Sequence, residues 1–245
     1  GYLAHLMDSI RGAFQVLPGA EVTAEANPGD LDGPALAALL QAGINRLSIG
    51  VQSLDDGHLR LLGRRHTALE AAEAYRLARE AGFQRVNLDL MYGIPHQSLD
   101  QWRDTLERVL VMGPPHLSLY CLTLEEGTPM HRWVERGQLP RPDDDLAADM
   151  YLLAEEMLAR AGYHHYEISN WALPGYECAH NLIYWRNLGY LGVGPGAHSS
   201  LHGYRFHELK SPRLYMQQVQ RWAAQGIEPV DRLDGDVLAR IPTVA

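Results

Sequence analysis

The stretch RVNLDLMYGIP, residues 85–95, has the composition of a β-strand that reaches the rim of a sheet. Two polar residues, Asn87 and Asp89, sit inside an apolar run that breaks at Gly93 and Pro95. A fully buried strand would avoid such groups, because burying a polar side chain without a partner costs free energy. Asp89 therefore either bonds to nearby backbone N–H groups or points into a functional site, and the other strands decide between these interpretations.

Three further segments have strand character, and they alternate with helical patterns. The strands are predicted near residues 21–26, 46–51 and 116–122, with the opening stretch supplying another at 85–91. The helical patterns cover residues 1–16, 33–42, 54–62, 67–81 and 98–112. This alternation predicts βαβ units and a parallel sheet with right-handed crossovers. The fold class is therefore α/β.

The alternation stops after Gly127. Beyond it the patterns predict a helix at 129–136, a long helix ending near 161, a strand at 163–168, a hairpin-like segment at 204–208 and a helix at 213–224. We therefore predict two domains, with the parallel sheet in residues 1–140 and a smaller α+β appendage in residues 141–245.

Composition excludes several classes of function. Thirty acidic and twenty-one basic residues give a net charge of −9 without a basic stripe, so nucleic acid is not an expected partner. There is no apolar run of the ~20 residues that a membrane-spanning helix needs, and no signal peptide opens the chain. Peripheral association with a membrane stays open. The only cysteines, Cys121 and Cys178, form no close-spaced motif, and a reducing cytoplasm is the predicted location.

Polar residues stand at the ends of all four predicted strands. In parallel α/β folds, functional groups collect at this rim, where the strands deliver Glu25, Gln52, Asp89 and Thr123. A metal-dependent hydrolase would place histidines or clustered carboxylates there. This mixed set, with Arg64 on a nearby loop, suits a cofactor that carries adenosine and an amino acid, because Arg64 can hold a carboxylate. Arg64 as a solvated loop residue is the alternative.

Eight strings carry a resemblance to a known family. They are TAEANP (23–28), SIGVQS (48–53), LGRRHT (62–67), DLMYGIPHQ (89–97), LSLYCLTLEEGT (117–128), YEISN (166–170), HNLIYW (180–185) and YLGVGPGAHS (190–199). In this order they resemble the radical S-adenosylmethionine family of oxygen-independent coproporphyrinogen III oxidase-like proteins, and within it the HemW-type heme chaperones. The resemblance covers nearly the whole chain.

The resemblance implies a partial, open parallel β/α barrel with cofactors at its C-terminal rim. In that family the positions of Glu25, Gln52, Arg64 and Asp89 line the S-adenosylmethionine pocket. These are residues that the strand ends had already selected. Met91 and Thr123 are further positions carried over to the same pocket.

One family feature is absent from this sequence. The three cysteines of the CxxxCxxC motif, which bind a [4Fe–4S] cluster, do not occur, and Cys121 and Cys178 cannot replace them. The barrel is therefore expected to be truncated at its N-terminus, which leaves the strand near 21–26 as an exposed edge. As written, the chain is predicted inactive for radical chemistry, and whether it is an enzyme stays open.

The string HNLIYW is the second candidate site. On a helix His180 and Tyr184 share a face, and a histidine beside aromatic residues such as Trp185 is a candidate heme ligand. A histidine bonded within an aromatic cluster is the alternative from the residues alone. The resemblance favours heme, since HNxxYW is associated with heme binding in the chaperone branch. The leading hypothesis is a chaperone that delivers heme to a heme protein; the alternative is an oxygen-independent coproporphyrinogen III oxidase.

Overall fold

The structure, a computed structural model, describes residues 1–201 and 203–225. The helices are α1 (Tyr2–Ala13), α2 (Gly33–Ala42), α3 (Asp56–Leu61), α4 (Ala68–Glu80), α5 (Leu99–Met112), α6 (Pro129–Glu135), α7 (Asp144–Arg160), α8 (Ala179–Trp185) and α9 (Pro212–Gln225). The strands are β1 (Thr23–Ala26), β2 (Arg46–Gln52), β3 (Arg85–Tyr92), β4 (His116–Cys121), β5 (His164–Glu167), β6 (Asn170–Ala172), β7 (His198–Leu201) and β8 (Tyr204–His207).

One sheet organises the first part of the chain. Its strand order is β1-β2-β3-β4-β6-β5, and β1 to β4 are parallel to one another. Strand β6 joins β4 in the antiparallel sense, and β5 pairs antiparallel with β6. The predicted α/β class and parallel sheet are confirmed. Within the described residues β1 is paired with β2 alone, so it is an edge of this sheet.

The sheet has an apolar face and a polar face, because alternate residues of a strand point to opposite sides. In β3 Leu88 and Leu90 are fully buried in the hydrophobic core with residues of α4, α5 and α7. Asn87 and Asp89 stand on the other face. Strand β3 therefore contributes apolar side chains to the core on one face and polar side chains on the other.

The loop that carries Arg64 is held at both ends. Asp55 caps α3, and Asp56 Oδ1 accepts a hydrogen bond of 2.8 Å from Ala68 N at the start of α4. Thr67 and Glu70 form the predicted capping box of α4. These bonds satisfy helix N–H groups that would otherwise lack partners, and they fix the short connection between the two helices.

The boundary between the two parts of the chain differs from the predicted one. The structure forms one compact unit over Gly1–Glu177 and a second unit that begins at Cys178, whereas the sequence placed the boundary near residue 140. Strands β5 and β6 belong to the main sheet, and Trp102 Nε1 in α5 donates a hydrogen bond of 2.9 Å to Met150 O in α7. Residues 226–245 of the predicted appendage lie outside the described residues.

Candidate cofactor site

A cavity of about 370 Å³ opens at the carboxyl ends of β1, β2 and β3. Four of the predicted site residues line it together: Glu25, Gln52, Arg64 and Asp89. They come from three strands and the loop after α3, so the parallel arrangement brings together residues that are far apart in the sequence. Its other lining residues are Ala26, Asn27, Ser48 and Gly50.

Gln52 ends β2 in an unusual backbone conformation. Its φ is +65°, in the left-handed region that few non-glycine residues adopt. The pairing of β2 with β3 also shifts register between Ile49 and Gln52, as at a β-bulge. The bulge turns the end of the strand and brings the Gln52 side chain into the cavity lining. Strained backbone of this kind is concentrated at functional sites.

Arg64 reaches back to the strand ends through one nitrogen. Its Nη2 donates to Asn27 Oδ1 over 2.6 Å and to the Gly50 carbonyl over 3.1 Å. Both bonds use the same nitrogen, and a guanidinium has five N–H donors. Arg64 is therefore held in position while it retains donors for a carboxylate.

Gly50 makes this close approach possible. A Cβ atom at this position would lie 3.0 Å from Gln52 Nε2 and 3.2 Å from Arg64 Nη2. Both distances are tighter than ordinary van der Waals contact. The absence of a side chain at Gly50 thus allows the functional groups of Gln52 and Arg64 to converge at the cavity.

Asp89 is fixed by hydrogen bonds to both of its carboxylate oxygens. Ser48 Oγ donates to Oδ2 over 3.0 Å, and Asn87 Nδ2 donates to Oδ1 over 2.8 Å. Burial raises the pKa of Asp89, and the negative charge of Glu25 adds to this shift, while the hydrogen bonds from Ser48 and Asn87 oppose it. Asp89 thus bonds to the side chains of Ser48 and Asn87 and lines the cavity, and its role in a functional site stays a prediction.

A hydrogen-bond network continues from Asp89 across the polar face of the sheet. His116 Nδ1 lies 2.7 Å from Asn87 Oδ1, and His116 Nε2 lies 2.8 Å from the Tyr166 hydroxyl. Burial, followed by the charge of Arg46, lowers the pKa of His116 to about 3, so the imidazole is neutral at pH 7. Because Asn87 Oδ1 can only accept, we assign the proton to Nδ1, with Nε2 accepting from Tyr166.

A second branch of the network leads to β6. Ser118 Oγ donates to Asn170 Oδ1 over 2.6 Å, and Asn170 Nδ2 donates in turn to Glu167. Asn170 and Glu167 lie in the part of the chain that sequence analysis assigned to the appendage, and only Glu167 falls within a predicted strand, at 163–168. The polar face of the whole sheet, from β2 to β5, therefore supports the position of Asp89.

The remaining predicted residues are less closely associated with the cavity. Met91 lies two residues after Asp89 on the same strand, where it pairs with Tyr120, and it does not line the cavity. Thr123 is exposed beyond the end of β4 and is likewise not a lining residue. The structure thus brings four of the six predicted S-adenosylmethionine residues into one site.

The predicted heme residues lie on α8 in the second unit. The Tyr184 hydroxyl and His180 Nε2 are 2.7 Å apart, and the two rings meet edge to face with centroids separated by 4.8 Å. Tyr184 also packs edge to face on Tyr190, at 4.6 Å. Trp185 is 49% exposed, which is a large apolar area for a surface position. The predicted shared face of His180 and Tyr184 is confirmed.

Sequence reasoning missed the residues that support the site. Asn27, Ser48 and Gly50 occur inside the family strings but were not selected, and His116 and Ser118 were taken only as parts of a strand. The alternation of polar residues in β3 and β4 is the signal that could have found them. The contribution of Asn170 depends on antiparallel pairing that three residues cannot predict.

The described residues offer no cluster site. Within residues 1–201 and 203–225 there is no group of three or more histidine, cysteine or acidic side chains that could hold a metal ion. Cys121 lies in β4 and Cys178 at the start of α8, and the two form no disulfide with each other. In the same part of the chain no helix has the length and apolar character required to cross a bilayer.

The sequence is similar to one protein family and to several named proteins. Residues 2–109 match the Radical SAM superfamily. A Synechocystis protein named heme chaperone HemW is 40% identical over 86% of this chain and 51% of its own length, and the Escherichia coli protein of that name is 39% identical over 93% and 60%. A mouse mitochondrial protein, radical S-adenosyl methionine domain-containing protein 1, is 46% identical over 80% and 44%. The chain thus spans about half the length of these relatives.

A solved structure shares the fold. Coproporphyrinogen III oxidase (HemN) from Escherichia coli, described as a radical SAM enzyme, superposes with a TM-score of 0.76 and 26% identity. The match covers 89% of this chain and 53% of that one. Residues 2–109 of the chain thus belong to the Radical SAM superfamily, and the chain is similar in sequence and in fold to the proteins named above.

Proposed function

We propose that the chain is part of a radical S-adenosylmethionine heme chaperone, which binds heme and delivers it to a heme protein. The observation that carries the proposal is the single cavity in which Glu25, Gln52, Arg64 and Asp89 converge. Relatives named heme chaperone HemW support the heme function, at 37–40% identity. The recipient is a heme protein, and the cytoplasm is the proposed location.

The side chains of the cavity fit S-adenosylmethionine. Arg64 supplies donors for the carboxylate of its methionyl group, while Glu25 and Asp89 can accept hydrogen bonds from ribose hydroxyls or from the ammonium group. The Gln52 amide can both donate and accept. When bound at a reduced [4Fe–4S] cluster, S-adenosylmethionine supplies a deoxyadenosyl radical. The residues of the cavity would bind and orient the molecule, and within residues 1–201 and 203–225 no group of three or more histidine, cysteine or acidic side chains could hold the cluster.

The heme part of the proposal uses α8. His180 is the proposed iron ligand, and Tyr184 and Trp185 offer aromatic surface to the macrocycle. The Tyr184 hydroxyl and His180 Nε2 are hydrogen-bonded, so ligation through Nε2 requires that this bond open. Tyr184 thus controls access to that nitrogen.

The cofactor proposal is tested by titrating the chain with S-adenosylmethionine in a calorimeter. We expect saturable binding that Arg64→Gln weakens by tenfold or more, because a charge-assisted hydrogen bond contributes about 1.5–3 kcal/mol. Arg65→Gln is the matched control, since Arg65 does not line this cavity. Equal losses in the two variants would remove Arg64 from the site.

The heme proposal is tested by titration with ferric heme, followed by the Soret band. We expect a red-shifted band in the wild-type chain and markedly weaker binding in His180→Ala. His164→Ala is the control, because His164 is an exposed residue of β5 outside α8. Unchanged affinity in His180→Ala would exclude this histidine as the iron ligand.

A second candidate function is oxygen-independent coproporphyrinogen III oxidation. The superposition on the Escherichia coli enzyme, at a TM-score of 0.76, favours it. The two candidates differ in what they do to a porphyrin, since the oxidase decarboxylates propionates and the chaperone binds and releases heme. Anaerobic incubation of the complete protein with coproporphyrinogen separates them, and conversion to decarboxylated product would support the oxidase.

A further inference from the structure

The second unit contains a cleft of about 280 Å³, and the HNLIYW motif supplies only part of its lining. Its walls come from Tyr184, Trp185, Leu188 and Tyr190, and Arg205 of β8 contributes a positive charge. His180, the residue proposed to hold iron, is not among the lining residues. The cleft therefore adds contacts that the HNLIYW motif alone does not supply.

The end of α8 positions one wall of the cleft. Asn187 has φ +51°, and its N–H bonds to Tyr184 O over 3.0 Å, while Leu188 N bonds to Ile183 O over 2.9 Å. This pair of bonds is a Schellman motif, with Asn187 in the left-handed position that ends the helix. The motif turns the chain sharply and leaves Leu188 beside Trp185 in the cleft.

Asn187 also forms a hydrogen bond with the guanidinium group of Arg205. Arg205 Nη2 donates to Asn187 Oδ1 over 3.3 Å. This long bond uses one nitrogen of the guanidinium. It orients Arg205 toward the end of α8 and leaves donors that can serve an incoming anion.

The floor of the cleft is a row of paired residues. Tyr190 and Ser200 exchange two backbone hydrogen bonds of 2.9 Å, and Ser200 pairs with Arg205 between β7 and β8. Directly paired residues in antiparallel strands project on the same side. The aromatic ring of Tyr190 and the guanidinium of Arg205 therefore lie on one surface, with the small Ser200 between them.

Two apolar side chains in the walls of the cleft are about half exposed to solvent. Trp185 is 49% exposed and Leu188 is 50% exposed, although both face a concave surface that a flat ligand can cover. Burying such surface is favourable by roughly 25 cal/mol per Å². A planar apolar ring that carries a carboxylate matches both the walls and Arg205.

We propose that this cleft receives one edge of the heme macrocycle and that Arg205 binds a propionate carboxylate. The inference rests on the proposed heme function and identifies the part of the ligand that the site recognises. Its volume of about 280 Å³ is just below the ~300–1,000 Å³ of sites that bury a drug-sized ligand, so the rest of the macrocycle extends beyond the cleft. An Arg–carboxylate pair of this kind is frequently bidentate, which fixes the rotation of the ring about its normal.

The test compares heme with its dimethyl ester, in which both propionates have lost their charge. Each is titrated into the wild-type chain and into Arg205→Gln, and the Soret change is followed. We expect Arg205→Gln to bind heme about tenfold or more weakly, and the ester to bind both chains equally. Arg213→Gln, in α9 of the same unit, is the control and should bind heme like the wild type.

A conservative variant guards against misfolding. Arg205→Lys keeps the charge but loses the planar fork, so its heme affinity should lie between those of the wild type and Arg205→Gln. If Arg205→Gln and Arg213→Gln bind heme as tightly as the wild type, this inference is overturned while the heme function stands. If the wild-type chain itself gives no saturable Soret change, both the inference and the heme function are overturned.

Discussion

Ser48 Oγ donates a hydrogen bond of 3.0 Å to Asp89 Oδ2, joining two neighbouring parallel strands in the lining of the strand-end cavity. Asn87 fixes the other oxygen of the same carboxylate. A carboxylate bonded in this way would ordinarily have a low pKa, yet burial outweighs the hydrogen bonds and raises the pKa of Asp89. Burial at this position therefore favours the neutral carboxyl group, whereas the two hydrogen bonds favour the carboxylate.

Replacing this carboxylate should raise stability and weaken binding. Because the pKa of Asp89 is raised in the folded state, its ionisation destabilises the fold as the pH rises from the unfolded pKa through the folded one. Asp89→Asn should thus be more stable than the wild type at pH 7, with the difference shrinking on acidification. Urea unfolding at pH 7 and pH 4 measures this, and calorimetry should show at least tenfold weaker S-adenosylmethionine binding. A less stable Asp89→Asn at pH 7 would contradict the assignment.

His116 should make the fold sensitive to acid. Its pKa is lowered from 6.5 to about 3 by burial, so the unfolded chain takes up a proton that the folded chain excludes, and stability falls as the pH drops from 6.5 toward 3. His116→Gln should show a shallower loss of stability over this interval. Unfolding midpoints in urea across the interval provide the measurement.

Tyr166→Phe is the matched control for that experiment. It removes the hydroxyl that bonds to His116 Nε2 but leaves the imidazole in place, so it should cost about 1 kcal/mol and keep the steep dependence on pH. The prediction for His116 fails if the stability of His116→Gln falls with pH as steeply as that of the wild type, because His116 would then not be the group that takes up a proton on unfolding.

Gln52 should lower the stability of the fold through its backbone conformation and increase S-adenosylmethionine affinity through its side chain. Its φ of +65° is costly for glutamine and free of steric cost for glycine, so Gln52→Gly should be as stable as the wild type or more stable, by up to about 1 kcal/mol. The same variant should bind S-adenosylmethionine more weakly because it lacks the amide. Asn187→Gly relieves a similar backbone at φ +51° and should leave S-adenosylmethionine affinity unchanged. A destabilised Gln52→Gly would mean that the side chain supports the fold itself.

A methyl group at Gly50 should disturb the cavity with little effect on the fold. The added Cβ would meet Gln52 Nε2 at 3.0 Å and Arg64 Nη2 at 3.2 Å, and both are side-chain atoms that can move. Gly50→Ala should therefore lower S-adenosylmethionine affinity while the melting temperature changes little. Gly33→Ala is the control, because nothing lies within 4 Å of its added Cβ. Full affinity in Gly50→Ala would show that the approach of Arg64 is not needed for binding.

Local patterns predicted the elements of the fold well. The helix over Gly33–Ala42 and the strands at Arg46–Gln52 and Arg85–Tyr92 lie within one residue of their predicted limits, because glycines and alternation mark them clearly. The rule that parallel strands share a rim then predicted the convergence of Glu25, Gln52 and Asp89.

The other contacts of the two sites depend on strand pairing and on turns that cannot be predicted from the sequence pattern. Strand β6 is three residues long, and only its antiparallel register with β4 brings Asn170 to Ser118. Likewise, Arg205 reaches the end of α8 through the turn at Asn187, which no periodic pattern encodes. The roles of Asn170 and Arg205 can therefore be identified only from the three-dimensional structure.

The clamped carboxylate of Asp89 has a stereochemical consequence. A side chain that turned freely could meet a sugar hydroxyl on either face of its ring, whereas Asn87 and Ser48 allow Asp89 one orientation. If Asp89 binds the ribose of S-adenosylmethionine, as the proposed function allows, we expect the cavity to distinguish a ribose from its arabino epimer without a movement of the surrounding loops. The selection would then come from the paired strands β2 and β3, which fix the carboxylate before the ligand binds.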